Sequence, residues 1–359
     1  WPLELYGEDQ ARFEEVLKPN HKRREALRDA LGDKAPLIAR ALIDAFVADK
    51  AKPANRWCLC LAMGLAPDPS AKRLFRLAWT WARSKNRNHR NLVHYVFRFL
   101  ADSGSDEAIA RLAILGEGMS KPAHRDQVRY ALRGLAVERG QSVEEMIEGV
   151  APDLGLEADG SLWLDYGPRA FRVRFSANGP PRVEDEKGKL RARLPKPGKK
   201  DDATLAAAAY ARFGETHEDF KHLVRSRARQ LERAMRTRRV WSRAAFEAMC
   251  RSPAMWPLLC VHVFAHESGT FRLSDGELLD SHDETVSVAG DVWVAHPMEL
   301  DADTLAGWSR IFADYELLGV FPQLTRKIFD SGDVAAGLAT CEGWLLHPGA
   351  IVGLLAEGW

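Results

Sequence analysis

No run of this sequence stays apolar for the roughly 18 residues that a membrane-spanning helix requires. Nor does a basic segment followed by an apolar one open it, as a secretory leader would, so no membrane partner is expected. Charge of neither sign is in excess: Lys+Arg is 51 against Asp+Glu 50 in 359 residues. No global field therefore draws the chain onto nucleic acid, and electrostatic binding has to come from local clustering. Cysteine is sparse and odd in number, at positions Cys58, Cys60, Cys250, Cys260 and Cys341. The two-residue spacing of Cys58 and Cys60, inside an apolar run, suits neither a disulfide framework nor a C-x-x-C metal pair. A reducing, cytoplasmic setting is the expectation. Missing too are a G-x-S-x-G elbow, a glycine-rich dinucleotide fingerprint and any kinase or P-loop signature. No nucleophile or general base stands out, so a non-enzymatic role without a cofactor is expected. The sequence opens at Trp1 rather than Met, which reads as a piece of a longer chain.

What is present is an ordinary folded composition, 46% hydrophobic and 28% charged, with a length that exceeds one typical domain. Tryptophan, at 11 against 6 tyrosines, suits large anchors between packed helices. Residues 1–150 read as short amphipathic helices without strands. Leu37, Ala41, Ala45 and Ala48 form one stripe and Leu74, Leu77, Ala78 and Trp81 a second. Leu92, Val93, Val96, Phe97 and Leu100 form a third, and then come Ile109, Leu112 and Ala113, and Val128, Leu132 and Leu135. Two architectures fit: HEAT- or armadillo-like helical repeats, or an irregular α-bundle.

From Pro152 the period changes. Leu162, Leu164 and Tyr166 alternate with Trp163 and Asp165, and Phe171, Val173 and Phe175 with Arg172 and Arg174, around Gly167-Pro168. That predicts a β-hairpin. Residues 193–200 (RLPKPGKK) read as a stiff basic connector, and Asp201-Asp202 as the start of a helix over 203–213. A longer helix is expected over about 218–239, and Ser242 caps a third. Strand-like segments at 271–273, 277–279, 285–288 and 292–295 predict an antiparallel meander. Asp301 and Asp303 open a helix through Trp308 and Ile311 to Leu318. The expected fold is mainly α with a mixed α+β module: the helical array over 1–150, a helix-covered antiparallel sheet over 151–330, and a tail over 331–359.

Several segments of this module resemble a known family. They are residues 152–156 (PDLGL), 159–171 (DGSLWLDYGPRAF), 194–209 (LPKPGKKDDATLAAAA), 295–300 (AHPMEL) and 314–324 (DYELLGVFPQL). Together they resemble a bacterial domain of unknown function (number 4132) that accompanies the WGR module and is described as molybdate-metabolism-regulator-like. The resemblance covers about half the chain, from about Gly140 to Arg326, and implies no catalytic residues. No Trp-Gly-Arg triplet occurs in this chain.

Four constellations are candidates for function. Asp165, Tyr166 and Arg169 lie on the predicted hairpin, where Arg169 could offer a fork to an anion or pin the turn by pairing with Asp165. Lys196, Lys199 and Lys200 approach a helix N-terminus, an anion site or simply a connector and cap. Arg225, Arg229, Arg233, Arg236, Arg239 and Arg243 crowd one helix and its exit, for nucleic-acid phosphates or for salt bridges. His266 and His282 are candidates for a metal, without a spacing that forces convergence. A protein partner engaged by the helical array is the leading expectation. Nucleic acid bound through the arginine helix, and an enzyme or anion-binding protein using Asp165, Arg169 and Lys199, are the alternatives.

Overall fold

Helix starts and stops are encoded locally in the first part of the chain. The structure, a computed structural model, describes residues 22–326 together with Gly343, Leu345 and Pro348. Most of the expected tail, including all of residues 331–342, lies outside the described residues. Contacts divide the chain into two units between Asp153 and Leu154.

The first unit holds α1 (Lys22–Leu31), α2 (Ala35–Ala48), α3 (Trp57–Leu65), α4 (Pro67–Ala82), α5 (Arg87–Ser103), α6 (Asp106–Gly118), α7 (Pro122–Arg139) and α8 (Val143–Glu148). Asn86 and Ser105 cap α5 and α6 through side-chain oxygens that accept downstream amides, and Ser142 and Glu145 form a reciprocal capping box at α8. Pro122 opens α7, where a missing amide costs nothing. From α2 onward each helix packs on its successor, and α1 to α6 each pack on the next but one as well. The apolar stripes of α5 and α6 are fully buried, Leu92, Val96, Leu100, Ile109 and Leu112 among them.

In α2 the stripe is not the expected one. Leu37 is 69% exposed, whereas Ala35, Ala39, Ile43 and Phe46 face inward. The larger Ile43 and Phe46 remove more apolar area from water than three alanines can, and Phe46 packs edge-on to Trp81 at 6.1 Å.

A charged pair lies inside this unit. The Arg111 Nε donates to Glu107 Oε1 at 2.8 Å, and the other carboxylate oxygen accepts the Asp153 amide at 2.6 Å. The Arg111 guanidinium also sits 4.9 Å from the centroid of the Phe75 ring.

The second unit opens with β1 (Ser161–Asp165), β2 (Ala170–Arg174), β3 (Arg182–Asp185) and β4 (Leu190–Arg191), paired antiparallel in that order. The expected hairpin is β1–β2. Leu162, Leu164, Phe171, Val173 and Val183 are buried, and Trp163 is not. Next comes α9 (Ala203–Arg236), capped by Asp202. The two helices expected here are one helix of 34 residues, running through Gly214. A glycine within a helix costs only about 1 kcal/mol, and the packing on either side outweighs it. Phe213, His217 and Phe220 all stack on Phe175, the last at 5.0 Å. At about 1.5 Å per residue, α9 is roughly 50 Å long. It packs on β1 and also reaches the second sheet.

That second sheet contains β5 (Val240–Trp241), β6 (Phe264–His266), β7 (Gly269–Ser274), β8 (Glu277–Leu279) and β9 (Val292–Val294), with α10 (Arg243–Cys250) and the short α11 (Trp256–Leu259) between β5 and β6. Its order is β5-β9-β6-β7-β8, not the expected meander. Residues 285–288 make a single bridge, Leu279 to Thr285, instead of a strand. The Asp280 carboxylate accepts the amides of His282 and Glu284 and folds the chain into a turn. β9 then pairs with the far side of β6. Finally α12 (Ala302–Asp314) buries Trp308 and Ile311 against Val263, Ala265 and Ala295. It ends at Asp314, short of the expected Leu318. Glu316 turns left-handed and the Leu317 amide returns to the Phe312 carbonyl at 2.8 Å. The chain is thus an α+β mixture, helical at first and built around two small antiparallel sheets afterwards.

Candidate functional site

Two of the expected anion-site residues, Arg169 and Tyr166, hold the connector between β4 and α9. Arg169 does not pair with Asp165. Its Nε and Nη2 each donate to one oxygen of Asp201 at 2.8 Å. Asp165 instead accepts the Gly167 amide at 2.7 Å, shaping the turn from within. Tyr166 is fully buried, and its hydroxyl donates to the Pro195 carbonyl at 2.9 Å. The Asp202 amide donates to the Tyr166 carbonyl at 3.0 Å. Gly167 has φ +86°, and a Cβ there would lie 3.0 Å from that of Asp202, so only glycine lets the turn and the helix start meet so closely.

Asp201 also accepts the Gly198 amide. Arg169 first, and that amide second, hold its carboxyl below the usual carboxylate range. The bidentate fork is occupied by Asp201, and what it organises is the path of the connector. Asp201→Asn is therefore expected to loosen residues 194–200: limited trypsin digestion should cut faster after Lys199 and Lys200, with the secondary structure retained. Lys196, Lys199 and Lys200 are exposed along this pinned path.

The arginine helix is engaged differently. Arg227 is buried and donates to Gln230 at 2.7 Å. Arg229, Arg233, Arg236 and Arg239 all have partners. Beyond the helix end, Arg238 pairs with Glu299 at 3.0 Å and lies over the Trp293 ring at 5.0 Å. Arg243 pairs with Glu247 one turn away at 2.7 Å, and Glu232 of α9 pairs with Arg326. Residues 169–251 hold 22 Lys+Arg and 10 Asp+Glu, whereas residues 252–326 hold 3 and 12. Glu299 of this acidic half thus meets Arg238 just beyond the C-terminal end of α9. Of the arginines singled out in the sequence, Arg225 stands exposed at the middle of the helix.

The two metal candidates do come together. His266 and His282 line a cleft of about 810 Å³, with Glu267, Trp293, Arg238 and Glu299 on its walls. The Trp293 indole donates to Glu299 at 2.9 Å, so several of its polar groups satisfy one another. Among the described residues no group of three or more His, Cys, Asp or Glu is placed to hold a metal ion. His296 serves elsewhere, accepting the Met298 amide at the start of a short 3-10 turn.

Three further roles are set by the fold alone. Gln323 is buried and ties two strands' ends together, accepting the Val263 amide at 3.0 Å and donating to the Val263 and Ala295 carbonyls. His262 is fully buried, stacked on Phe321 at 4.6 Å, with Nδ1 donating to the Leu258 carbonyl. Burial lowers its pKa to about 4. Burial also pushes the thiols of Cys250 and Cys260 up, to about 12 and about 11, which keeps both protonated and poorly nucleophilic. A buried Gln two residues after a Gly-Val-Phe run carries no periodic signal, so only the fold shows its role.

Residues 188–359 match the family model described as Domain of unknown function (DUF4132). The earlier part of the resemblance, including the β1–β2 hairpin, falls outside that match. Over 323 residues the chain is 28% identical to "Uncharacterized protein YehI" of Escherichia coli (strain K12), an alignment covering 85% of this chain and 26% of that protein. The chain thus spans about a quarter of that relative's length. No solved structure matches it.

Proposed function

We propose that this chain is a non-catalytic interaction protein whose first unit docks an amphipathic helix of a protein partner. One observation carries the reading: on α7, Tyr130 and Val137 are 81% and 80% exposed. They lie seven residues apart, on the face opposite buried Val128, Leu132 and Leu135. Gly134 sits between them with open space above it. Contacts between each helix and the next but one support the repeat-like reading of this unit. The outward face of a packed helix is ordinarily polar, and α7 turns an aromatic and a β-branched residue outward instead. Arg129 and Arg133 flank the strip and are exposed, Arg129 within 3.7 Å of Asp126, so the occupant is an amphipathic helix with an acidic flank on the side of Arg133.

No helix among the described residues is long and apolar enough to cross a membrane. Cys58, Cys60, Cys250 and Cys260 carry free thiols, which fits a reducing cytoplasm. A regulatory role, as the molybdate-metabolism-regulator-like resemblance implies, suits a protein that acts by bringing others together.

The test immobilises the full chain, identifies a partner cross-linked to α7, and titrates it in purified form. Tyr130→Ala or Val137→Glu is expected to weaken it roughly tenfold or more, as removal of an interface anchor does. Both positions are exposed, so folding should be unchanged within about 0.5 kcal/mol. A partner that binds both variants as tightly as the wild type, or the absence of any cross-link to α7, counts against the reading.

A further inference from the structure

We propose that the second unit binds the phosphate backbone of a nucleic acid along one rim of its first sheet. In an antiparallel sheet of order β1-β2-β3-β4 the first and third turns lie at the same end. The β3–β4 turn carries Lys187 and Lys189, both exposed. The β1–β2 turn is the one to which Tyr166, Arg169 and Asp201 tie the connector, so Lys196, Lys199 and Lys200 emerge at that end too. Five lysines from two separate segments thus share one rim. Among the described residues none of them is in an ion pair, in contrast to Arg191, whose guanidinium pairs with Asp185 at 2.8 Å. Arg193, exposed just after β4, is likewise without a carboxylate partner there.

This distinguishes the rim from the arginine helix. The helix is the more conspicuous in the sequence, but most of its arginines already have partners. A phosphate arriving there competes with interactions the fold has made, whereas one arriving at the rim displaces only water and counterions.

A structural explanation covers part of the rim: lysines beside an edge strand such as β4 deter edge-to-edge pairing. It does not cover Lys196, Lys199 and Lys200, which lie on a connector that forms no edge. These three are also held on a fixed path. The turn bearing the other two is fixed as well, because the Asp185 carboxylate accepts the amides of Lys187 and Lys189 at 3.1 and 2.9 Å. Fixed spacing favours a ligand whose charges are themselves regularly spaced. A lipid surface, by contrast, attracts basic segments without requiring any geometry. Three strand spacings make the rim about 14 Å wide, several nucleotides' rise along a duplex at about 3.4 Å each.

The experiment measures fluorescence anisotropy of a labelled mixed-sequence duplex and of its single strand with the full chain. It compares the wild type with a variant carrying Lys187→Gln, Lys189→Gln, Lys196→Gln, Lys199→Gln and Lys200→Gln. A control carries Lys34→Gln, Lys50→Gln, Lys85→Gln and Lys121→Gln, all exposed in the first unit. The rim variant is expected to bind roughly tenfold or more weakly, with log K against log salt shallower by about 0.9 for each phosphate it no longer neutralises. The control is expected to bind as the wild type does. Failure of the wild type to bind either nucleic acid at low salt overturns the proposal, and so does a rim variant that binds unchanged. Phosphatidylserine vesicles or poly-glutamate bound through the rim more tightly than nucleic acid would overturn it as well, reassigning the rim to lipid or to acidic protein. Circular dichroism melts establish that all variants are equally folded.

Discussion

Arg111→Met is expected to destabilise the first unit by about 3–5 kcal/mol and to lower its melting temperature by roughly 10 °C. The volume change is small and the site stays apolar, so the loss comes from charge. Arg111 and Glu107 are 1% and 6% exposed. Without the guanidinium, the Glu107 carboxylate keeps the Asp153 amide and loses its counter-charge in a place water does not reach. Burial already pushes the Glu107 pKa above its ordinary value, with Arg111 restraining the rise. The sign of the pH effect follows. In Arg111→Met the carboxyl can escape by binding a proton, so the penalty relative to wild type should shrink as pH falls and grow toward alkaline pH. The double variant Glu107→Gln/Arg111→Met should recover most of the loss, because Gln still accepts the Asp153 amide and carries no charge. Thermal melts of the four proteins at two pH values check this. A double variant as unstable as Arg111→Met would show that lost packing over Phe75, not an orphaned charge, sets the cost.

That pair also shows why some of this structure was legible in the sequence and some was not. Signals acting within four residues came through. Asp202, Ser242 and Asp301 mark helix starts by residue type and are caps, and the alternation of Leu162, Leu164 and Tyr166 places a strand and its buried face. Where two patterns overlapped, local reading chose wrongly. In α2 a stripe of small residues was as periodic as the one containing Ile43 and Phe46, and volume decided between them. Partners distant in sequence were not legible. Asp201 is 32 residues from Arg169, and the nearer Asp165 looked as suitable until the fold gave it the Gly167 amide. The insertion of β9 between β5 and β6 has the same cause, since strand order depends on where a loop returns, and Val292–Val294 reads alike at either edge. For the candidate sites, clustering of like charge was visible and its neutralisation was not. The arginines of α9 are conspicuous by number, yet pairing depends on the fold: Arg238, just past the helix end, meets the distant Glu299.

His262→Phe is expected to flatten the acid limb of the second unit's stability curve. The Nδ1 of His262 donates to the Leu258 carbonyl, so in the neutral ring Nε2 carries the lone pair, and it has no partner in its buried stack with Phe321. Protonation would place a charge there with nothing to receive it. The folded-state pKa, about 4, thus lies below the ordinary 6.5 because of burial, with the Leu258 carbonyl opposing in part. Unfolding therefore takes up a proton between these values. The stabilising contribution is fully present above pH 6.5 and is lost as pH falls toward about 4. Two and a half units correspond to roughly 3 kcal/mol. Other groups titrate in the same interval, His217 and His296 with the same sign, so only the difference between wild type and variant isolates His262. Phenylalanine retains the stack on Phe321, and the Leu258 carbonyl keeps the Val261 amide. The variant should therefore lose about 1 kcal/mol or less at neutral pH. Urea unfolding from about pH 7 to about pH 4.5, with a probe in the second unit, measures both slopes. Parallel slopes would mean that His262 is charged in the fold and has found an acceptor for Nε2; convergence of the two curves at acid pH would locate a proton-linked weak point of the second unit at this single ring.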